Sequence, residues 1–163
     1  MANLEGMKVA ILRTDGFEQA LDEASADTRW YRPRTKARAA GISRTGVTRS
    51  RSTYPSTKPR PQAFEALLLP GGVMNPDTLR MLPKAVAFVR AFFDAGRPVA
   101  SICHGPWTVI EAGPARGRRV TSWPSHRTAL RNAGAEWVDQ EAVTDRGLVT
   151  TASPMTSPCS TAR

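Results

Sequence analysis

Apolar residues fall along this chain in short blocks, and the period changes from block to block. The run "MKVAIL" (7–12) is continuous and brief, which predicts a strand buried on both faces. The turn "TDGFEQ" (14–19) follows, and "FEQALDEASAD" (17–27) has the propensity for a first helix. "FEALLLPGG" (64–72) predicts a second buried strand ending in a glycine pair. "NPDTLRMLPKAVAFVRAFFDAG" (75–96) predicts one helix, with a proline near its start and Gly96 as its stop. "RPVASIC" (97–103) predicts a third strand. "HGPWTVIEAG" (104–113) predicts a helix that tolerates Pro106 in its first turn. "GRRVTSW" (117–123) reads as a strand and "PSHRTALRNAG" (124–134) as a capped helix stopping at Gly134. "AEWVD" (135–139) and "GLVTT" (147–151) read as short strands.

Strands alternating with helices predict an α/β domain with a mainly parallel sheet, here one domain over residues 1–151. Ligands in such sheets bind beyond the carboxyl ends of the strands. "TDGFE", "PGG" and "CHG" all sit at such ends, so the three are expected on one rim.

Two stretches break the pattern. Residues 28–61 hold only Trp30, Tyr31, Ile42, Val47 and Tyr54 as large apolar positions, without a period. The tail, 152–163, is rich in Ser, Thr and Pro. Neither can bury enough apolar surface to offset its ordering entropy, so both are expected to be disordered. Charge sharpens this. The net charge is +9, but residues 28–60 carry ten Lys and Arg and no Asp or Glu, which leaves −1 on the rest (+9 less +10). The basic character therefore belongs to one block and is no stripe across the domain, so a nucleic-acid partner is not expected. No run of 18 apolar residues predicts a membrane span, and the N-terminus lacks a signal-peptide layout. Cys103 and Cys159 make no disulfide framework, and together these features lead us to expect a cytoplasmic protein.

"ASICHGPW" (100–107) carries the chemistry. A thiol reacts as its thiolate, and a strand-to-helix turn offers free N–H groups that favour that form. Cys103 at such a turn is a candidate nucleophile, in the elbow geometry known for serine. His104 is a candidate general base, and Glu18 a candidate carboxylate beside the thiol. Gly105 permits close backbone approach, and "PGG" offers N–H donors for an oxyanion. Taken singly, each has a plainer reading. Cys103 can be a small core residue, Glu18 a first-turn helix acid, and "PGG" an ordinary turn. Their joint position at three strand ends favours function. No zinc-ligand spacing and no phosphate-binding glycine loop occurs, so no metal and no cofactor is expected.

Four runs extend the picture: "KVAILRTDGFEQ", "LLLPGGVMNPDTLRM", "KAVAFVRAFFDAGRPVASICHGPWTVIEAG" and "GRRVTSWPSHRTALRNAGAEWVD". Here the chain resembles the DJ-one/PfpI superfamily, and within it the PfpI-type intracellular proteases and general stress proteins. The resemblance implies a flavodoxin-like (Rossmann-like) three-layer sandwich related to class I glutamine amidotransferases. It implies cysteine hydrolase activity, of peptidase, deglycase or glyoxalase type, on peptides, glycated protein or small carbonyl compounds. It makes Cys103 the nucleophile, His104 its neighbour and Glu18 the carboxylate at the thiol. Gly71, Gly72 and the His104 N–H would shape the oxyanion pocket. Asp77 matches the acidic residue that reaches a neighbouring subunit's site, which implies a homodimer or hexamer.

The chain also departs from that pattern. Its first helix is shorter than the family's, and the likeness lapses across 28–61 and after "GLVT". Shifted by two bases, a GC-rich back-translation of residues 28–61 with codons chosen for the purpose can give a family-like run, and the tail treated likewise can give a family-like ending. This motivates the hypothesis that compensating frameshifts, or sequencing errors, cover 28–61 and begin again near Thr151. A raw DNA sequence with no such alternative frame would sink it. The competing function is then a degenerate, non-catalytic family member. Two residues stand out within the matched blocks. Arg13 falls where relatives place a small apolar residue, and a buried unpaired Arg is costly. His126 replaces an apolar residue on a helix and is expected on the surface.

Overall fold

The computed structural model describes residues 8–14, 29–31 and 60–153. The first helix expected over 17–27 and the tail beyond 153 lie outside the described residues. So does all of 32–59.

The continuous apolar run behaves as predicted. Strand β1 (Val9–Leu12) has Ala10, Ile11 and Leu12 fully buried. It is flanked on both sides, by β2 (Arg29–Tyr31) and by β3 (Ala66–Leu69), both parallel to it. β2 belongs to the basic block, so three of its residues are strand despite the block's lack of apolar period. β3 and β4 (Val99–Ile102) alternate buried and half-buried positions and pair in parallel, Leu69 opposite Ser101. β4 pairs in turn with β8 (Leu148–Thr151), and β8 with β7 (Ala142–Asp145), the latter antiparallel. The sheet order is β2-β1-β3-β4-β8-β7. This is an α/β, flavodoxin-like arrangement with a mainly parallel sheet. A separate two-stranded parallel ribbon joins β5 (Arg119–Val120) and β6 (Glu136–Trp137).

The single helix expected over 75–96 is two helices. α1 runs Met74–Arg80 and α2 Pro83–Asp94. Leu82 between them is extended (φ −101°, ψ 104°), as the residue before a proline prefers. α2 buries Ala85, Phe88, Val89 and Phe92, one stripe at helical spacing. Its stop lies where the sequence placed it: Gly96 takes φ 64° and Arg97 N–H closes on Phe92 O at 2.9 Å. Arg97 also donates to the carbonyls of Pro61 and Phe64, both at 2.7 Å, pinning the chain's entry into β3.

α3 (Pro106–Ala112) follows β4 with proline in its first turn, and Gly113 (φ 95°) ends it. The helix expected from Pro124 is shorter and uncapped. A 3-10 turn, Pro124–His126, comes first, α4 spans Arg127–Asn132, and neither has a side-chain cap. That turn rotates His126 inward. It is buried, 1 % exposed, and the expectation of a surface residue was wrong. Arg13 is half-exposed just past the end of β1, so the feared burial of its charge does not occur. The sequence reading missed β7, which forms a hairpin with β8 through Arg146 (φ 46°) and Gly147 (φ 81°). Among the described residues no helix is long and apolar enough to cross a membrane.

Candidate active site

Leu69 and Ser101 face each other near the ends of β3 and β4. Two residues further along each strand come Gly71 and Cys103, so the two loops meet at one edge. The meeting is tight. A Cβ on Gly105 would lie 2.6 Å from Leu69 O and 2.7 Å from Ser101 Oγ, so only glycine fits there without moving backbone. The Gly105 N–H is already donated to Ile102 O at 2.7 Å. Gly105 therefore serves close approach and offers no donor. Gly72, with φ 79°, takes the left-handed turn after β3.

The third strand end joins through a residue the sequence reading passed over. Asn75 is fully buried at the start of α1. Its Oδ1 accepts the Thr14 N–H at 2.7 Å, and its Nδ2 donates to Pro70 O at 3.1 Å. Asn75 thus ties the end of β1 to the end of β3. The only signal for it was an amide next to proline just after "PGG". Glu18 lies outside the described residues.

Cys103 sits where β4 gives way to α3, and its φ of 55° is in the left-handed region. A non-glycine residue held there costs on the order of 1–3 kcal/mol and marks a position that surrounding structure over-determines. The restraints are visible. Cys103 N–H donates to Thr151 O and Cys103 O accepts from Trp123 N–H, both at 2.9 Å. The residue is 7 % exposed. Its Sγ lies 3.1 Å from Nδ1 of His104, within hydrogen-bond reach for sulfur.

His104 is half-buried, and that burial lowers its basicity below the ordinary histidine value. Its ring is then neutral near neutral pH, and Nδ1 can accept the thiol proton. The ring is stacked on Trp123 (centroids 5.9 Å, 23° between planes) and met at right angles by His126 (4.7 Å, 90°). His126 also meets Trp107 at right angles, 4.3 Å away. Arg80 of α1 lies over Trp107 at 5.1 Å and pairs with Glu111 at 4.0 Å. Asp77 is exposed in the first turn of α1. The structure therefore brings together Cys103, His104, Gly105 and the Gly71–Gly72 turn, and leaves Asp77 facing outward. Among the described residues no three His, Cys, Asp or Glu are placed to hold a metal.

The comparison with protein families decides what kind of chain this is. Residues 7–160 match the model of the DJ-1/PfpI family. This chain belongs to that family. A deglycase from Pyrococcus horikoshii is 48 % identical over 97 residues, which cover 60 % of this chain and 58 % of that protein. The chain thus spans under two-thirds of the length of that DJ-1/PfpI relative. The protein/nucleic acid deglycase 2 of Escherichia coli is 40 % identical over 157 residues, 90 % of this chain and 89 % of its own. Among solved structures, a two-domain protein from Anabaena variabilis with a DJ-1/ThiJ/PfpI-like and a ferritin-like domain superposes with a TM-score of 0.70. It is 29 % identical over 90 % of this chain and 43 % of its own.

Proposed function

We propose that this DJ-1/PfpI chain is a cysteine hydrolase of the deglycase or peptidase type, with Cys103 as nucleophile and His104 as proton carrier. The observation that carries the reading is the strained Cys103 with its Sγ 3.1 Å from His104 Nδ1. Neutral His104 takes the thiol proton as sulfur adds to the substrate's carbonyl carbon. The carbonyl oxygen becomes an oxyanion, and the N–H groups of Gly71, Gly72 and His104 are the donors proposed to receive it. On a peptide bond the charged His104 then returns its proton to the departing amine, leaving a thioester. Water, deprotonated by His104, attacks that thioester and frees the Cys103 thiol and the acid product. Glu18 is proposed to share the thiol's proton. Asp77, exposed on α1, is proposed to complete the site of a second copy in a homo-oligomer. Peptides, glycated protein or small carbonyl compounds are the substrate class, and a cytoplasmic setting with no cofactor completes the proposal. The names of the deglycase relatives support the hydrolytic side of it.

Cys103→Ser tests this. Hydrolysis of a fluorogenic peptide is expected to fall by at least ~100-fold, with the thermal transition retained. Equal turnover by the serine variant would refute the nucleophile.

A further inference from the structure

His126 is a buried titratable group that the proposed chemistry does not use. It is 1 % exposed, and neither ring nitrogen has a hydrogen-bond partner among the described residues. A buried polar atom left in that state costs roughly 1–3 kcal/mol. An apolar side chain of similar volume would fill the same space without that penalty. Packing alone therefore does not account for an imidazole here. Its neighbours suggest what does. The ring stands perpendicular to His104 and to Trp107, so it fills the wedge between the catalytic histidine and the first turn of α3. The same 3-10 turn supplies Trp123, stacked on His104, and His126 N–H closes that turn on Trp123 O at 3.0 Å.

We infer that His126 is a positioning residue for the Cys103–His104 pair. It fixes the plane of His104 so that Nδ1 stays on Sγ, and it gives the charged form of His104 a polar neighbour. The inference rests on the reading of Cys103 and His104 as the reactive pair. The charged and titratable groups around His126 fit the role. His104 faces it from the elbow, and Arg80, paired with Glu111, faces it from the α1–α3 side. On the adjoining helix α4, Arg127 is turned to the Trp137 ring at 5.9 Å. Burial first, then His104, then Arg80 hold its protonation down to a pKa of about 4. His126 thus stays neutral when His104 becomes charged, and it neither competes for the proton nor adds a second cation.

The test uses the full chain and iodoacetamide as the probe of Cys103. In His126→Leu the titration midpoint of His104, read by 15N-histidine NMR, is expected to fall by about one unit, a roughly tenfold change in its protonation equilibrium. Cys103 alkylation near neutral pH is expected to slow by a comparable factor, and His126→Gln to recover most of the rate. A variant with a lower melting temperature but unchanged His104 titration and alkylation profile would overturn the inference, because a packing role predicts that pattern. If His126→Leu does not fold, the unaltered chain decides. The ring signals of His126 are expected to move when His104 titrates and when Cys103 is alkylated, and stationary signals overturn the inference. Absence of turnover with any substrate, alongside an intact His126–His104 coupling, would count against the proposed function alone.

Discussion

The wedge between α2 and the central strands and the rim beyond β3 and β4 lie close in the fold and are opposite in character. In the wedge, Phe88, Val89, Phe92, Leu67 and Val99 are buried and apolar, in regular helix and strand conformations. Phe88 tilts against Phe92 at 5.3 Å and meets Phe64 edge-on at 6.3 Å. At the rim, Cys103 is held at positive φ. Ser101 Oγ, Thr108 Oγ1, Thr151 Oγ1 and both nitrogens of His126 are buried without hydrogen-bond partners among the described residues. Each such group costs free energy that a domain stable by only about 5–15 kcal/mol must offset elsewhere. The contrast teaches that free energy from regular apolar burial can offset strain held at the elbow.

The largest effect is expected from cutting the wedge itself. Phe92→Ala removes a fully buried ring and should destabilise by about 3–5 kcal/mol in chemical denaturation. If the wedge sustains the rim, selective alkylation of Cys103 is lost in the same variant. A chain that keeps both its midpoint and its selectivity would break the comparison.

Acid attacks the rim and spares the wedge. His126 is neutral when folded, with its pKa lowered from 6.5 to about 4. The unfolded chain therefore binds that proton first as pH drops. The penalty for protonating the buried ring is absent above about pH 6.5 and grows as pH falls toward about 4, amounting to roughly 3 kcal/mol. The burial-lowered basicity of His104 acts in the same direction. Denaturation midpoints at several pH values for the unaltered chain and His126→Leu should run together at neutral pH and diverge in acid, where the unaltered chain alone loses stability through position 126. Parallel curves would show that His126 is not the titrating group.

A smaller effect is expected at the joint between the regions. Gly105→Ala drives a methyl into Leu69 O and Ser101 Oγ and should cost about 1–3 kcal/mol, with slower alkylation of Cys103. Wild-type stability and reactivity would mean that the two loops do not meet as closely as described.

Legibility in the sequence followed the same division. Continuous or periodic apolar runs announced β1, β3, β4 and the buried stripe of α2, because burial imposes the pattern directly. Cys103, His104 and Gly105 were legible because a strand running into "HG" and a proline marks an elbow. Helix breaks were not, since the periodic residues on either side of Leu82 hide what Pro83 does to the residue before it. β7 escaped because its four residues, Ala142 to Asp145, bury only Val143. His126 and Asn75 escaped for a common reason. Both are polar residues in tertiary contacts, and no local period reports where such a side chain turns.

One backbone hydrogen bond has a wider meaning. The Cys103 amide proton is held by Thr151 O, at the far end of the hairpin strand β8. β8 is kept in register by β7, and the hairpin's turn is fastened to the β5–β6 ribbon by Arg146 donating to Gly117 O and Arg118 donating to the carbonyls of Asp145 and Arg146. Hydrogen exchange at the Cys103 amide is thus a clock for the opening of that seam. Any opening that parts β8 from the elbow frees the Cys103 amide, so the turn after β4 is tied to strands from the far end of the chain.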